Sequence, residues 1–123
     1  MSLLSWQWGI YPSAHADRRN LAIHVITNPI FIAGLVAVPL GLITMTWLTA
    51  IAGVLAMPLV MFIQGRGHRL EKEPPAPFRG PLDVLGRIFL EQLVNFPRYV
   101  ITGKFADAWA AASTDSPRSS ASA

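Results

Sequence analysis

From Leu21 to Gly65 the chain runs for 45 residues without a Lys, Arg, Asp or Glu. As α-helix, that stretch would extend roughly 67 Å at about 1.5 Å per residue, around twice the ~30 Å of a bilayer's hydrocarbon core. Two passes fit and one does not. Pro39, Gly41 and the Thr44-Met45-Thr46 segment lie near the midpoint, where a helix must break before it turns back. The chain therefore reads as an all-α membrane protein: a transmembrane helical hairpin over about 21–65, with arms near 22–42 and 46–64, followed by amphipathic C-terminal helices.

A hairpin returns the chain to the side it left. Arg18, Arg19, Arg66, Arg69, Lys72 and Arg79 flank its outer ends while the turn between the arms is uncharged, so the positive-inside rule predicts cytoplasmic termini. The expected location is an integral membrane position, in the inner membrane of a bacterium or the endoplasmic reticulum of a eukaryote. His15, His24 and His68, the only histidines, would then share one aqueous face at the membrane surface.

With 52% hydrophobic and 14% charged residues, the composition is far from that of a soluble surface. The net charge of +3 comes from arginines beside the apolar run, which suits anionic headgroups or a carboxylate rather than nucleic acid, for which there is no motif. Cysteine is absent. That excludes disulfides, thiolate metal sites, iron–sulfur clusters and Cys nucleophiles. The apolar run is too long for a signal h-region, and Arg18-Arg19 is only superficially a twin-arginine signal.

Trp6, Trp8 and Tyr11 precede the histidines, and such rings suit either the headgroup zone or packing onto the third helix. Pro29 and Pro58 fall inside the arms and are expected to kink them. Beyond His68, a proline-rich connector over 73–81 leads to Pro81, which is suited to a first helical position. An amphipathic helix is predicted over about 82–96, with Leu82, Leu85, Phe89, Leu93 and Phe96 on one face. Asp83, Arg87 and Glu91 follow at i,i+4 spacing on another face and read as a solvated ion-pair stripe. Pro97 is expected to interrupt this helix, and Lys104–Ala112 to form a short further one. Residues 1–112 are expected to make a single membrane-embedded domain and 113–123 a disordered tail.

Imidazole is the commonest side-chain metal ligand, and three of them suffice for a site that keeps positions open for substrate and oxygen. His15 and His24 lie about 180° apart on a continuous helix at 100° per residue. Both can face one metal only if a helix starts between them, and Pro12-Ser13 and Asp17 make such a start plausible. Asn20 shares a face with His24 and can orient it. Glu71, three residues after His68, is the nearest candidate carboxylate, with Glu73 and Asp17 as weaker ones. If a substrate carboxylate binds, an arginine fork should grip it; Arg66, Arg69 and Arg19 are the candidates.

The segment His15-Ala-Asp-Arg-Arg-Asn20-Leu-Ala-Ile-His24, the apolar hairpin, then Gln64-Gly-Arg-Gly-His68-Arg-Leu-Glu71 with Pro75-Ala76 downstream together resemble the membrane family typified by the fungal 2-hydroxy fatty acid α-dioxygenase. The resemblance implies an Fe2+ cofactor held by His15, His24 and His68, with Asn20 and Glu71 as accompanying positions. It also implies O2-dependent shortening of a 2-hydroxy fatty acid by one carbon, with cleavage of the C1–C2 bond. Expected partners are therefore membrane lipid or fatty acid and O2; a homo-oligomer is compatible. Two other readings stay open: a non-enzymatic hairpin that organises lipids or partner subunits, and haem held by a histidine pair.

Overall fold

The computed structural model describes residues 2–114, and among these every regular element is helical. The order is α1 (Leu3–Ala14), α2 (Arg18–Ile43), α3 (Trp47–His68), α4 (Pro81–Leu90), a π-helical turn (Glu91–Asn95), α5 (Phe96–Ile101) and α6 (Lys104–Thr114). Helix α6 ends two residues inside the stretch read as a tail; residues 115–123 lie outside the described residues.

Helices α2 and α3 form the hairpin and are the two helices long and apolar enough to cross a membrane. Pro39 and Gly41 sit inside α2, which runs on to Ile43. The break comes only at Thr44–Thr46, where Met45 takes a left-handed φ of 56° and the Thr46 N–H closes the turn on the Gly41 carbonyl at 2.8 Å. Both arms are longer at their outer ends than their hydropathy suggested. The extension brings Asn20 into α2 beside His24, which already lay in the predicted arm, and puts His68 in the last turn of α3.

The arms touch through small residues. A Cβ on Gly41 would stand 2.5 Å from the Ala50 nitrogen, and one on Gly34 3.2 Å from the Gly53 carbonyl. Such close backbone approach is how helices associate in lipid, where burial of apolar surface supplies no drive between them. Their outward faces carry large apolar side chains in the open, such as Ile26, Val36, Leu48 and Leu59. In water so continuous an apolar surface would aggregate; against acyl chains it is matched.

The remaining helices gather around the hairpin's outer end. Helix α1 starts at the N-cap Ser2, whose hydroxyl accepts from the Ser5 N–H. Trp8 meets Tyr11 and Tyr99 with ring centroids 6.2 and 6.1 Å away, while the Arg87 guanidinium lies over Trp6. The N-terminal aromatics thus pack on the C-terminal helices. Pro97 does not interrupt the chain's helical path. It stands in the first turn of α5, directly after a π turn in which the Phe96 N–H reaches five residues back to Glu91. The widened turn accommodates Pro97, which has no N–H to give to an α-helical ladder.

Helix α4 turns its charged face inward, not outward as expected, and of the predicted apolar face only Phe96 is buried. Leu82 is 85% exposed and Leu85 53% exposed, and Phe89 and Leu93 are also open, whereas Arg87, Gln92 and Asn95 are buried. The Asp83-Arg87-Glu91 stripe keeps the expected i,i+4 pair between Asp83 and Arg87 at 3.5 Å but is not a solvated surface; Arg87 and Glu91 line a cavity. The physical reason is the solvent: beside a bilayer the apolar stripe faces lipid and the polar one must find partners inside.

Candidate metal centre

His15 is the C-cap of α1 and Asp17 the N-cap of α2. The helix thus restarts between His15 and His24, which removes the half-turn between their directions. His15, His24, His68 and Glu91 each offer a ligand atom, and these atoms lie within 4.8 Å of one another. The ring centroids form a near-equilateral triangle: 4.6 Å from His15 to His24, and 4.9 Å from each to His68.

Backbone contacts set the tautomers. His15 Nδ1 lies 3.0 Å from the Tyr11 carbonyl and His24 Nδ1 3.0 Å from the Asn20 carbonyl. A carbonyl can only accept, so both Nδ1 atoms donate and both Nε2 atoms carry lone pairs in the neutral rings. Each Nε2 is 3.2 Å from the same oxygen, Glu91 Oε1, and His68 Nε2 is 4.0 Å from it. Lone pairs converging on a carboxylate repel unless a cation lies among them. His24 Nε2 is buried and has no hydrogen-bond partner, as expected for an atom waiting on a cation. Burial would by itself raise the Glu91 pKa; the opposing pull downward at His15 and His24 is that of cationic partners, the charge that ring protons or a bound metal ion would place between carboxylate and rings. A nitrogen-rich set with one carboxylate suits a divalent transition metal, so this group can hold a metal ion.

The carboxylate in the cluster is Glu91, and Glu71 has another task. Its oxygens accept the Ala16 N–H at 2.9 Å, the Asp17 N–H at 2.8 Å and the Asn20 side-chain amide at 3.1 Å. Glu71 thereby ties the end of α3 to the turn that carries His15. Asn20 also donates to the Ala14 carbonyl, and Gly67 passes so close that a Cβ there would strike the Asn20 side chain. Glu91 was missed because it was read as part of the solvated stripe. The signal was present in its neighbours: Gln92 and Asn95 continue the polar face opposite Leu82, Leu85 and Phe89.

The three arginines expected to grip a carboxylate do not reach the site. Arg19, Arg66 and Arg69 are exposed; Arg19 pairs with Asp17 at 3.0 Å and Arg66 lies over the Phe62 ring. A cavity of about 290 Å³ opens beside the histidines and runs between α1, α3, the connector and α4. His15, His68, Glu91, Tyr11 and Gln64 contribute to its wall, with Ile10, Met61, Phe78, Val84 and Ile88 supplying apolar surface. Arg87 is the arginine that lines it, and its terminal nitrogens donate to the Pro77 and Ala76 carbonyls at 3.1 and 2.9 Å.

Deeper in the hairpin, buried amides hold the floor of the site. Gln64 donates to the Thr27 hydroxyl at 2.9 Å, Gln92 donates to Gln64, and Asn28 donates to both oxygens of Gln92, backbone and side chain. Asn95 donates to Gln7, whose own amide donates to the Arg87 carbonyl. The network joins α1, α2, α3 and the π turn, so the four elements that carry the ligating side chains are fixed relative to each other.

These helices and this centre define the class: an all-α membrane protein with a histidine-carboxylate group able to hold a metal ion, set beside an apolar cavity. Within that class the chain belongs to the Mpo1-like family, described as 2-hydroxy-palmitic acid dioxygenase Mpo1-like, whose profile matches residues 1–94. The match takes in all three histidines and Glu91. No curated protein and no solved structure matches the chain.

Proposed function

We propose that the protein is an iron(II)-dependent dioxygenase of 2-hydroxy fatty acids, acting at the membrane surface and releasing a fatty acid one carbon shorter. The observation that carries this reading is the convergence of His15, His24, His68 and Glu91 at the wall of an apolar cavity, in a chain whose family name is that of such a dioxygenase. The four side chains would hold the iron, which supplies O2 binding and electron transfer when bound. The stoichiometry closes without an outside reductant: a 2-hydroxy acid and O2 account for the shortened acid, carbon dioxide and water.

The protein's own part is to bind and orient. An alkyl chain in the cavity lies against Met61, Val84 and Ile88 while the oxygen-bearing end faces the histidines. The carboxylate then lies where the apolar wall meets the histidines and Glu91. Both termini are assigned to the cytoplasm from the arginine distribution. The haem alternative is disfavoured by packing, since edge-to-face rings 4.6–4.9 Å apart leave no slot for a flat macrocycle.

The test is iron content together with turnover. Protein purified in detergent should carry Fe2+, lose it in His24→Ala, and convert an anaerobically loaded 2-hydroxy acid to the shorter acid on addition of O2. Iron-free wild type, or a 2-hydroxy acid returned intact after oxygenation, overturns the reading.

A further inference from the structure

With Arg19, Arg66 and Arg69 outside the cavity and the Arg87 terminal nitrogens committed to backbone carbonyls, the cavity needs another donor for an anionic ligand. Tyr11 supplies one. Its ring stacks on His15 with centroids 3.8 Å apart and planes 12° from parallel, and it lines the same cavity as His15, His68 and Glu91. The residue is 2% exposed, yet its hydroxyl makes no hydrogen bond of proper length and angle, although the Glu91 carboxylate stands close enough to act on it. A buried hydroxyl left unpaired is costly and uncommon, and in a native protein it usually marks a partner that arrives with a ligand or water.

We propose that the Tyr11 hydroxyl is a substrate-binding group that donates a hydrogen bond to an oxygen of the acid headgroup lodged beside the histidines. The ligand class is an amphiphile with a carboxylate next to an α-oxygen, and the inference rests on the acyl reading above. Geometry favours Tyr11 over the arginines on two counts. Its stacking on His15 locks the phenol against a ligating ring, so the donor is preorganised toward the centre. A neutral donor also adds no second charge beside the ionised Glu91. Arg87 carries the cavity's other unpartnered donor, Nε, but its cation is already met by Asp83 at 3.5 Å and sits over the Phe78 ring.

The experiment uses the full chain in detergent micelles, loaded with Co2+, whose visible absorption reports the ligands around it, and titrated with 2-hydroxypalmitate and with palmitate. Tyr11→Phe removes one oxygen and keeps the ring stack, so its cobalt spectrum and cobalt affinity should match wild type. Its affinity for 2-hydroxypalmitate should fall about tenfold or more, the effect of losing one hydrogen bond to a charged group. Arg66→Ala and Arg69→Ala should bind the acid as wild type does. Equal acid affinity in wild type and Tyr11→Phe, or loss of cobalt together with the acid, overturns the role of Tyr11 alone. Wild type that binds cobalt and neither acid overturns the acyl reading and Tyr11 with it.

Discussion

Two carboxylates lie near the three histidines, and their surroundings give them opposite duties. Glu91 faces Nε2 atoms of His15 and His24 at 3.2 Å, so Glu91→Gln keeps the volume and removes the charge that balances a cation. Metal affinity should fall at least tenfold, read by competition with a chelator, with little change in helical content. Glu71→Gln leaves the ligating set intact and weakens the bonds from the Ala16 and Asp17 N–H groups. It should cost about 1–3 kcal/mol, seen as a lower Tm in detergent, while metal stoichiometry stays at the wild-type value. A Glu71→Gln protein that loses metal but keeps its Tm would reverse the assignment.

At the scale of elements, the hairpin depends on two backbones coming close and α4 on which solvent it meets. Gly41→Leu forces a side chain into the Ala50 backbone 2.5 Å away from its Cβ. The arms must then separate, and the Tm in detergent should fall by the equivalent of about 1–3 kcal/mol or more. The reversed amphipathicity of α4 gives a different readout. A nitroxide on Leu85→Cys in a reconstituted bilayer should collide more with O2 than with a water-soluble nickel complex, because Leu85 lies on the apolar face left open by the protein. The opposite ratio would put that face in water and leave the buried Gln92 and Asn95 without a physical explanation.

For the whole molecule, topology is checked by labelling, and the cysteine-free sequence makes single replacements clean. Ser5→Cys and Arg69→Cys should react with a membrane-impermeant maleimide from the same side, and Thr46→Cys from the other. Labelling of Ser5→Cys and Thr46→Cys from one side would mean that the hairpin does not cross.

What could be read from the residues in order was the consequence of one long uncharged run. Forty-five positions without charge must cross twice, and a double crossing returns His68 to the side of His15 and His24; hydrophobicity and chain connectivity suffice for that. Asp17, a capping residue between two histidines, likewise signalled the restart of the helix that lets both face one point. The rest depends on how each helix is rotated about its axis, which local spacing does not contain. Whether Leu82, Leu85 and Phe89 point at protein or lipid decides whether Glu91 is solvated or faces the histidines, and only the packed bundle beside its hydrocarbon solvent makes that choice. Helix α1 was hidden for a related reason: its aromatic residues carry no clear periodicity, and Tyr11 becomes meaningful only once its ring lies on His15. The sequence by itself determined that three imidazoles share one side of a membrane hairpin. The tertiary structure decided which carboxylate joins them and which tyrosine ring stacks on His15, because helix rotation and burial are properties of the assembled interior.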